Sequence, residues 1–293
     1  MFKDVGRLGL REIKENEEKV EQVFRFIDED QIELAKKQIV ELLNTPNYFI
    51  RELVGKKLVE YHDSDKMDQI ILGFLGHKTY GVRAATLFYY FIKYFDDPNK
   101  IMTMLNMSWC DTPWETEHVL HEMWIRYPEM MKKEMSIWAV SQFEKQRALA
   151  YHGLDGLSND EPHYVAAMLE KNLDDDGVDV QKKLSNVLTQ FIRIKPAEGY
   201  PYVREWLTVG SETRSKTLFL AVKKLVSIAV QSAATGKLSK NDDFYVLTIH
   251  TINDWKNDPN EYVSAIGSKL VNFAKKPSSD DSDSDSVPKP NQS

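Results

Sequence analysis

The chain has 293 residues, 42% hydrophobic and 28% charged, with glycine and proline scarce, which is ample apolar material for a large soluble core. A single cysteine excludes an internal disulfide framework. The N-terminal MFKDVGRLGLREIKENEEK lacks the apolar run of a signal peptide, and no run of eighteen apolar residues occurs. The expectation is a cytoplasmic protein with no membrane contact. The net charge of −7 is unevenly spread. Residues 1–180 carry 22 basic and 33 acidic side chains, residues 181–240 carry 11 and 3, and residues 241–293 come to −4. Only the 181–240 segment, at +8, has the charge to meet a polyanion.

From the N-terminus onward the apolar spacing is that of helices, at i, i+3, i+4 and i+7, with almost no strand signal. REIKENEEKVEQVFRFI and LAKKQIVELLN predict the first two helices, and turn clusters such as NTPN, HDSD, FDDPN and LSNDEP separate those that follow. A period then emerges in NYFIRELVGKKLVEY (47–61), YGVRAATLFYYFIKY (80–94), TPWETEHVLHEMWIRY (112–127), FEKQRALAYHGLDGL (143–157), VDVQKKLSNVLTQFI (178–192) and SETRSKTLFLAVKKL (211–225). DDFYVLTIHTINDW and NEYVSAIGSKLVNFAKK predict a last helix pair. Within this series LFYYFIKYF (87–95) reads as core rather than as a base-stacking platform. The expected fold is all-α: a right-handed superhelical solenoid of HEAT-like (ARM-type) helix pairs over 1–276, monomeric, because a pair covers its apolar stripe only by stacking on its neighbours. The remainder, 277–293, reads as a disordered acidic Ser/Asp-rich tail.

One register position of the six copies gives Arg51, Arg83, Glu115, Arg147, Lys182 and Arg214, at steps of 32 residues with one of 35. Such a row of cations bonds to the loops of neighbouring repeats, faces a phosphate backbone, or does both. All three alternatives stand at the level of sequence. The stretch NMSWCDTPWETEHVLHEMW (106–124) packs three tryptophans, the only cysteine and two histidines together. Cys110, Asp111, His118, His121 and Glu122 match no standard zinc spacing, so neither metal nor cofactor is expected. Pro113 favours the first turn of a helix, with Asp111 or Thr112 as its cap.

The run YPEMMKKEMSIWAVSQFEKQRALAYHGL (127–154) resembles the HEAT-like DNA-alkylation-repair glycosylases of the AlkD type, in Tyr127-Pro128-Glu129, Trp138, Ser141, Phe143 and Arg147-Ala148. The likeness extends over about 30–230 in helix order and spacing, and is most specific in 106–154. It implies a cradle that holds duplex or branched DNA by its backbone, with Arg51, Arg83, Arg147, Lys182, Lys183 and Arg214 as contacts. In the family a Ser-Trp-Trp-Asp-Thr-Val-Asp run supplies an aromatic and a carboxylate for base excision, and a later repeat supplies a third aromatic. Here Ser108, Trp109, Asp111 and Thr112 match, but Cys110 replaces the working Trp, Trp114 the working Asp, and Asn186 the third aromatic. A thiol offers no π-face and an indole no negative charge. The resemblance therefore implies nucleic-acid binding without the family's excision chemistry. Two alternatives remain: an active glycosylase of alkylated purines with a rearranged set of Trp109, Asp111 and Trp114, and a protein-interaction scaffold.

Overall fold

The computed structural model describes residues 8–109, 111–237, 239 and 242–275. Among these the chain is all-helical, without a strand. It divides into two compact units on either side of the Trp138–Ala139 bond.

The first unit runs through α1 (Leu10–Asp28), α2 (Ile32–Leu43), α3 (Tyr48–Leu58), α4 (Ser64–Leu72), α5 (Tyr80–Lys93), α6 (Pro98–Ser108), α7 (Pro113–Arg126) and α8 (Pro128–Trp138). Side-chain caps start several of these helices. Asn47 accepts from Phe49 N–H, Asp63 from Lys66 N–H and Asp97 from Lys100 N–H, each satisfying a donor that has no partner inside its helix. Proline takes the first helical position in α6, α7 and α8, where its missing N–H costs nothing. One layer is formed by α1, α3, α5 and α7, each packed on the next, with α2 behind α3 and α5 and α6 behind α5 and α7.

The α3–α5 contact is unusually close. A Cβ on Gly55 would lie 2.5 Å from the Ala85 carbonyl oxygen and 2.8 Å from Phe88 Cβ, and one on Gly81 would lie 2.0 Å from the Leu43 carbonyl oxygen. These two glycines let α5 seat against α3 and the end of α2. The aromatic run on α5 is core, as its spacing indicates: Leu87, Phe88, Tyr89, Tyr90 and Phe91 are all buried. Tyr89 carries its hydroxyl to the edge, where it donates to Asp68 at 2.7 Å.

The second unit contains α9 (Glu144–Leu149), a 3₁₀ turn (Leu154–Leu157), α10 (Pro162–Glu170), α11 (Val178–Ile194), α12 (Pro196–Leu207), α13 (Glu212–Ala234), α14 (Asp243–Lys256) and α15 (Glu261–Ala274). Again alternate helices form one layer, α9–α11–α13–α15, with α10, α12 and α14 in a second. The sequence pattern runs one helix through 143–157, but α9 ends at Leu149. Gly153, at a left-handed φ of 82°, is the N-cap of the 3₁₀ turn that follows. Conversely α13 extends nine residues beyond the predicted segment, to Ala234. Among the described residues it is the one helix long and apolar enough to cross a bilayer. Its Leu218, Val222, Leu225 and Val226 are buried and it packs on α11 and α15, the pattern of a core helix.

Gly55→Ala should lower stability by about 1–3 kcal/mol through overpacking of the α3–α5 contact. Gly76→Ala, with nothing within 4 Å of the new methyl, should leave the urea midpoint nearly unchanged. Equal midpoints for both variants would show that the close approach carries no packing energy.

Candidate functional site

The repeating cation has a definite structural use. The fourth residue of a layer helix projects back toward the helix N-terminus, over the turn that precedes it. Arg51 Nη1 there donates to the carbonyls of Thr45 (3.3 Å) and Pro46 (2.9 Å). Arg83 Nη1 does the same to His77 (2.5 Å) and Lys78 (3.1 Å), and Arg147 Nη1 to Ser141 (2.9 Å). In α11 the fourth residue is Gln181, and its Nε2 donates to the Asp175 carbonyl at 2.9 Å. All four side chains reach back six residues, to carbonyls left open where the preceding helix has ended. The turn-binding residue of the α11 copy is thus Gln181, and Lys182 stands one position further on, exposed to solvent.

Two of the arginines also hold a carboxylate. Arg51 donates through Nε (3.1 Å) and Nη2 (2.8 Å) to Glu115 Oε1, and Tyr80 O–H donates to Glu115 Oε2 at 2.6 Å. Glu115 is fully buried and Arg51 nearly so, and the guanidinium lies against the Tyr80 ring, 5.2 Å from its centroid. Burial, then the bond to Glu115, pushes the Tyr80 hydroxyl well above its ordinary pKa, so it remains a donor. This buried triad joins α3, α5 and α7. A cleft of about 400 Å³ lined by Thr45, Arg51 and Tyr80 opens beside it, but its guanidinium is already committed to these partners. In the second unit Arg147 grips Asp175 through Nε (2.5 Å) and Nη2 (3.1 Å). Arg214, the third residue of α13, pairs with Asp174 at 2.6 Å and holds that carboxyl below its usual range.

The candidate excision residues come together only in part. Trp109 is the half-buried C-cap of α6, Asp111 is exposed in the turn, and Trp114 is 70% exposed on the first turn of α7. Cys110 lies outside the described residues. The N-cap of α7 is Thr112, whose side chain makes no capping bond, and Asp111 sits one residue before it. Glu115, next to Trp114, is turned inward and consumed by Arg51 and Tyr80. Asn186 is exposed and accepts from Lys224 Nζ at 3.3 Å. His118 packs between the rings of Phe88 and Tyr48, with Nε2 4.0 Å from Glu52. His121, one turn on, is exposed. Among the described residues no group of three or more His, Asp or Glu side chains could hold a metal ion.

The cations left over form the candidate polyanion surface. Lys182 on α11 and Lys216 and Lys224 on α13 are exposed, and among the described residues none of the three pairs with a carboxylate. The Lys224–Asn186 bond places their helices' exposed faces side by side, and Lys182 lies one turn before Asn186 on α11. Lys183 is half-buried. Lys216 and Lys224 were legible only as part of a basic segment, since they fall off the periodic register. No family model matches the chain, and no curated protein matches it.

Glu115→Ala should cost about 3–5 kcal/mol in urea unfolding, because it strands a buried guanidinium. Tyr80→Phe should cost about 1.5–3 kcal/mol, the value of one hydrogen bond to a charged group. A Glu115→Ala loss below that of Tyr80→Phe would mean the triad is not a buried ion pair. Burial lowers the His118 pKa, with Glu52 opposing it. The unfolded chain therefore takes up a proton below pH of about 6.5 that the folded chain refuses. Stability should fall between pH 7 and 5, and fall less in His118→Gln. Identical pH dependence of the two urea midpoints would remove His118 from this role.

Proposed function

We propose that each unit is a stack of HEAT-like helix pairs, and that the protein binds nucleic acid through the α11–α13 face without excising bases. The observation that carries this reading is the division of labour among the cations. Arg51, Arg83, Arg147 and Arg214 bond to turn carbonyls or carboxylates of the fold, while Lys182, Lys216 and Lys224 are exposed and, among the described residues, pair with no carboxylate. Lys216 and Lys224 are about 12 Å apart along α13, a span of roughly three to four phosphates on one strand. Lysines so placed would grip a backbone and read no sequence, which suits binding to duplex or branched DNA irrespective of base. The resemblance of 106–154 to the AlkD-type glycosylases supports the choice of nucleic acid. The replacement of the three working positions by Cys110, Trp114 and Asn186, and the inward turn of Glu115, support the absence of excision. A protein-scaffold role is the second reading, favoured by the exposure of Met107 (60%) and Trp114 (70%) at the ends of α6 and α7.

Duplex binding measured by fluorescence anisotropy at 50 mM salt should weaken at least tenfold in a Lys182→Glu, Lys216→Glu, Lys224→Glu variant, with the far-UV spectrum unchanged. Replacing the same three by Gln should flatten the slope of log K against log salt by about 0.9 per lysine. Equal affinities in wild type and variant would sink the assignment to this face. Incubation with methylated duplex should release no alkylated purine above background. Release abolished by Trp109→Ala or Asp111→Asn would establish the rearranged enzyme instead.

A further inference from the structure

The same lysine face has a candidate occupant within the chain. The segment PSSDDSDSDSV (277–287) carries Asp280, Asp281, Asp283 and Asp285 with no base among them. Residues 276–293 lie outside the described residues, but the point from which they depart is defined. α15 ends at Ala274 and packs on α13. Lys223 Nζ lies 4.9 Å from the centroid of Phe273, the residue before Ala274, so α15 ends beside Lys223 of α13. α13, on which α15 packs, and its neighbour α11 carry three exposed lysines without carboxylate partners among the described residues, and the segment after α15 supplies four carboxylates.

We propose that the Asp280–Asp285 segment lies across the exposed lysines of α13 and α11 and competes there with polyanions. The proposal rests on the nucleic-acid reading of that face and adds its regulation. Reach is sufficient. Asp280 and Asp285 are five and ten residues beyond Lys275. Chain segments of five and ten residues reach at most roughly 17 and 33 Å. Neighbouring helices pack about 8–10 Å apart, so both α13 and α11 fall within range. Each exposed Asp–Lys contact is weak. Tethering nonetheless gives the segment an effective concentration in the millimolar range, which no free acidic peptide would match. The contact is screened as salt rises, since it is made at the surface.

The test uses the full-length protein. A carbodiimide that joins carboxylates to amines without a spacer, applied at 50 mM salt and followed by mass spectrometry of the monomer band, should join Asp280–Asp285 to Lys182, Lys216, Lys223 or Lys224. In parallel, the full chain carrying Asp280→Asn, Asp281→Asn, Asp283→Asn and Asp285→Asn should bind a labelled duplex about tenfold more tightly than wild type at 50 mM salt, with the difference shrinking by 300 mM. Tail crosslinks only to other lysines, or only in a dimer band, overturn the proposal. So does equal duplex affinity when both proteins bind. Crosslinks to the α11 and α13 lysines with no duplex binding by either protein leave the tail contact standing and remove the nucleic-acid reading alone.

Discussion

The structure depends on one recurrent bond: a long planar donor at the fourth position of a layer helix, turned back onto the carbonyls of the turn before it. Those carbonyls follow the end of the preceding helix and have no intrahelical partner. Arg51, Arg83, Arg147 and Gln181 satisfy them from the same geometric position. In α3, α5, α9 and α11 the bond ties the first turn of the layer helix to the turn it leaves. Arginine suits the position because its fork of donors can serve a turn carbonyl and a carboxylate together. Arg83 and Gln181 serve the carbonyls alone.

The first unit adds a deeper constraint to this bond. Arg51 meets Glu115, which stands two periods later in the same register, and Tyr80 closes the second oxygen. A buried pair of this kind gains little net energy over an apolar equivalent, yet losing either partner is severe. Its effect is to specify which helices are neighbours. Gly55 and Gly81 set the distance at which the pair can close, by allowing α5 to approach α3 and α2. The acidic exception in the cationic register is therefore the counter-charge of its first member.

The cations the fold uses and those it leaves exposed are separated by a single register step. Gln181 holds the turn, and Lys182 beside it is released to the surface. On α13, Arg214 is taken by Asp174, while Lys216 and Lys224 are not bound to any carboxylate among the described residues. The charge of 181–240 is concentrated where the fold has least need of it.

The sequence by itself determined the all-helical class, the boundaries of most helices and the burial of Phe88, Tyr89, Tyr90 and Phe91, because apolar spacing and turn residues act locally. It also exposed the period, since each copy must solve the same capping and packing problem. It left open whether the cations of that period face a ligand or the fold. That choice was decided only by the tertiary structure, which brings Glu115 to Arg51 across 64 residues and Asp175 to Arg147 across 28. A charge's partner depends on which helices are neighbours in space, and the helical period carries no record of that. The break of the 143–157 segment after Leu149 and the shift from Lys182 to Gln181 have the same origin. Both turn on a single residue's backbone or reach, which a pattern averaged over whole helices does not resolve.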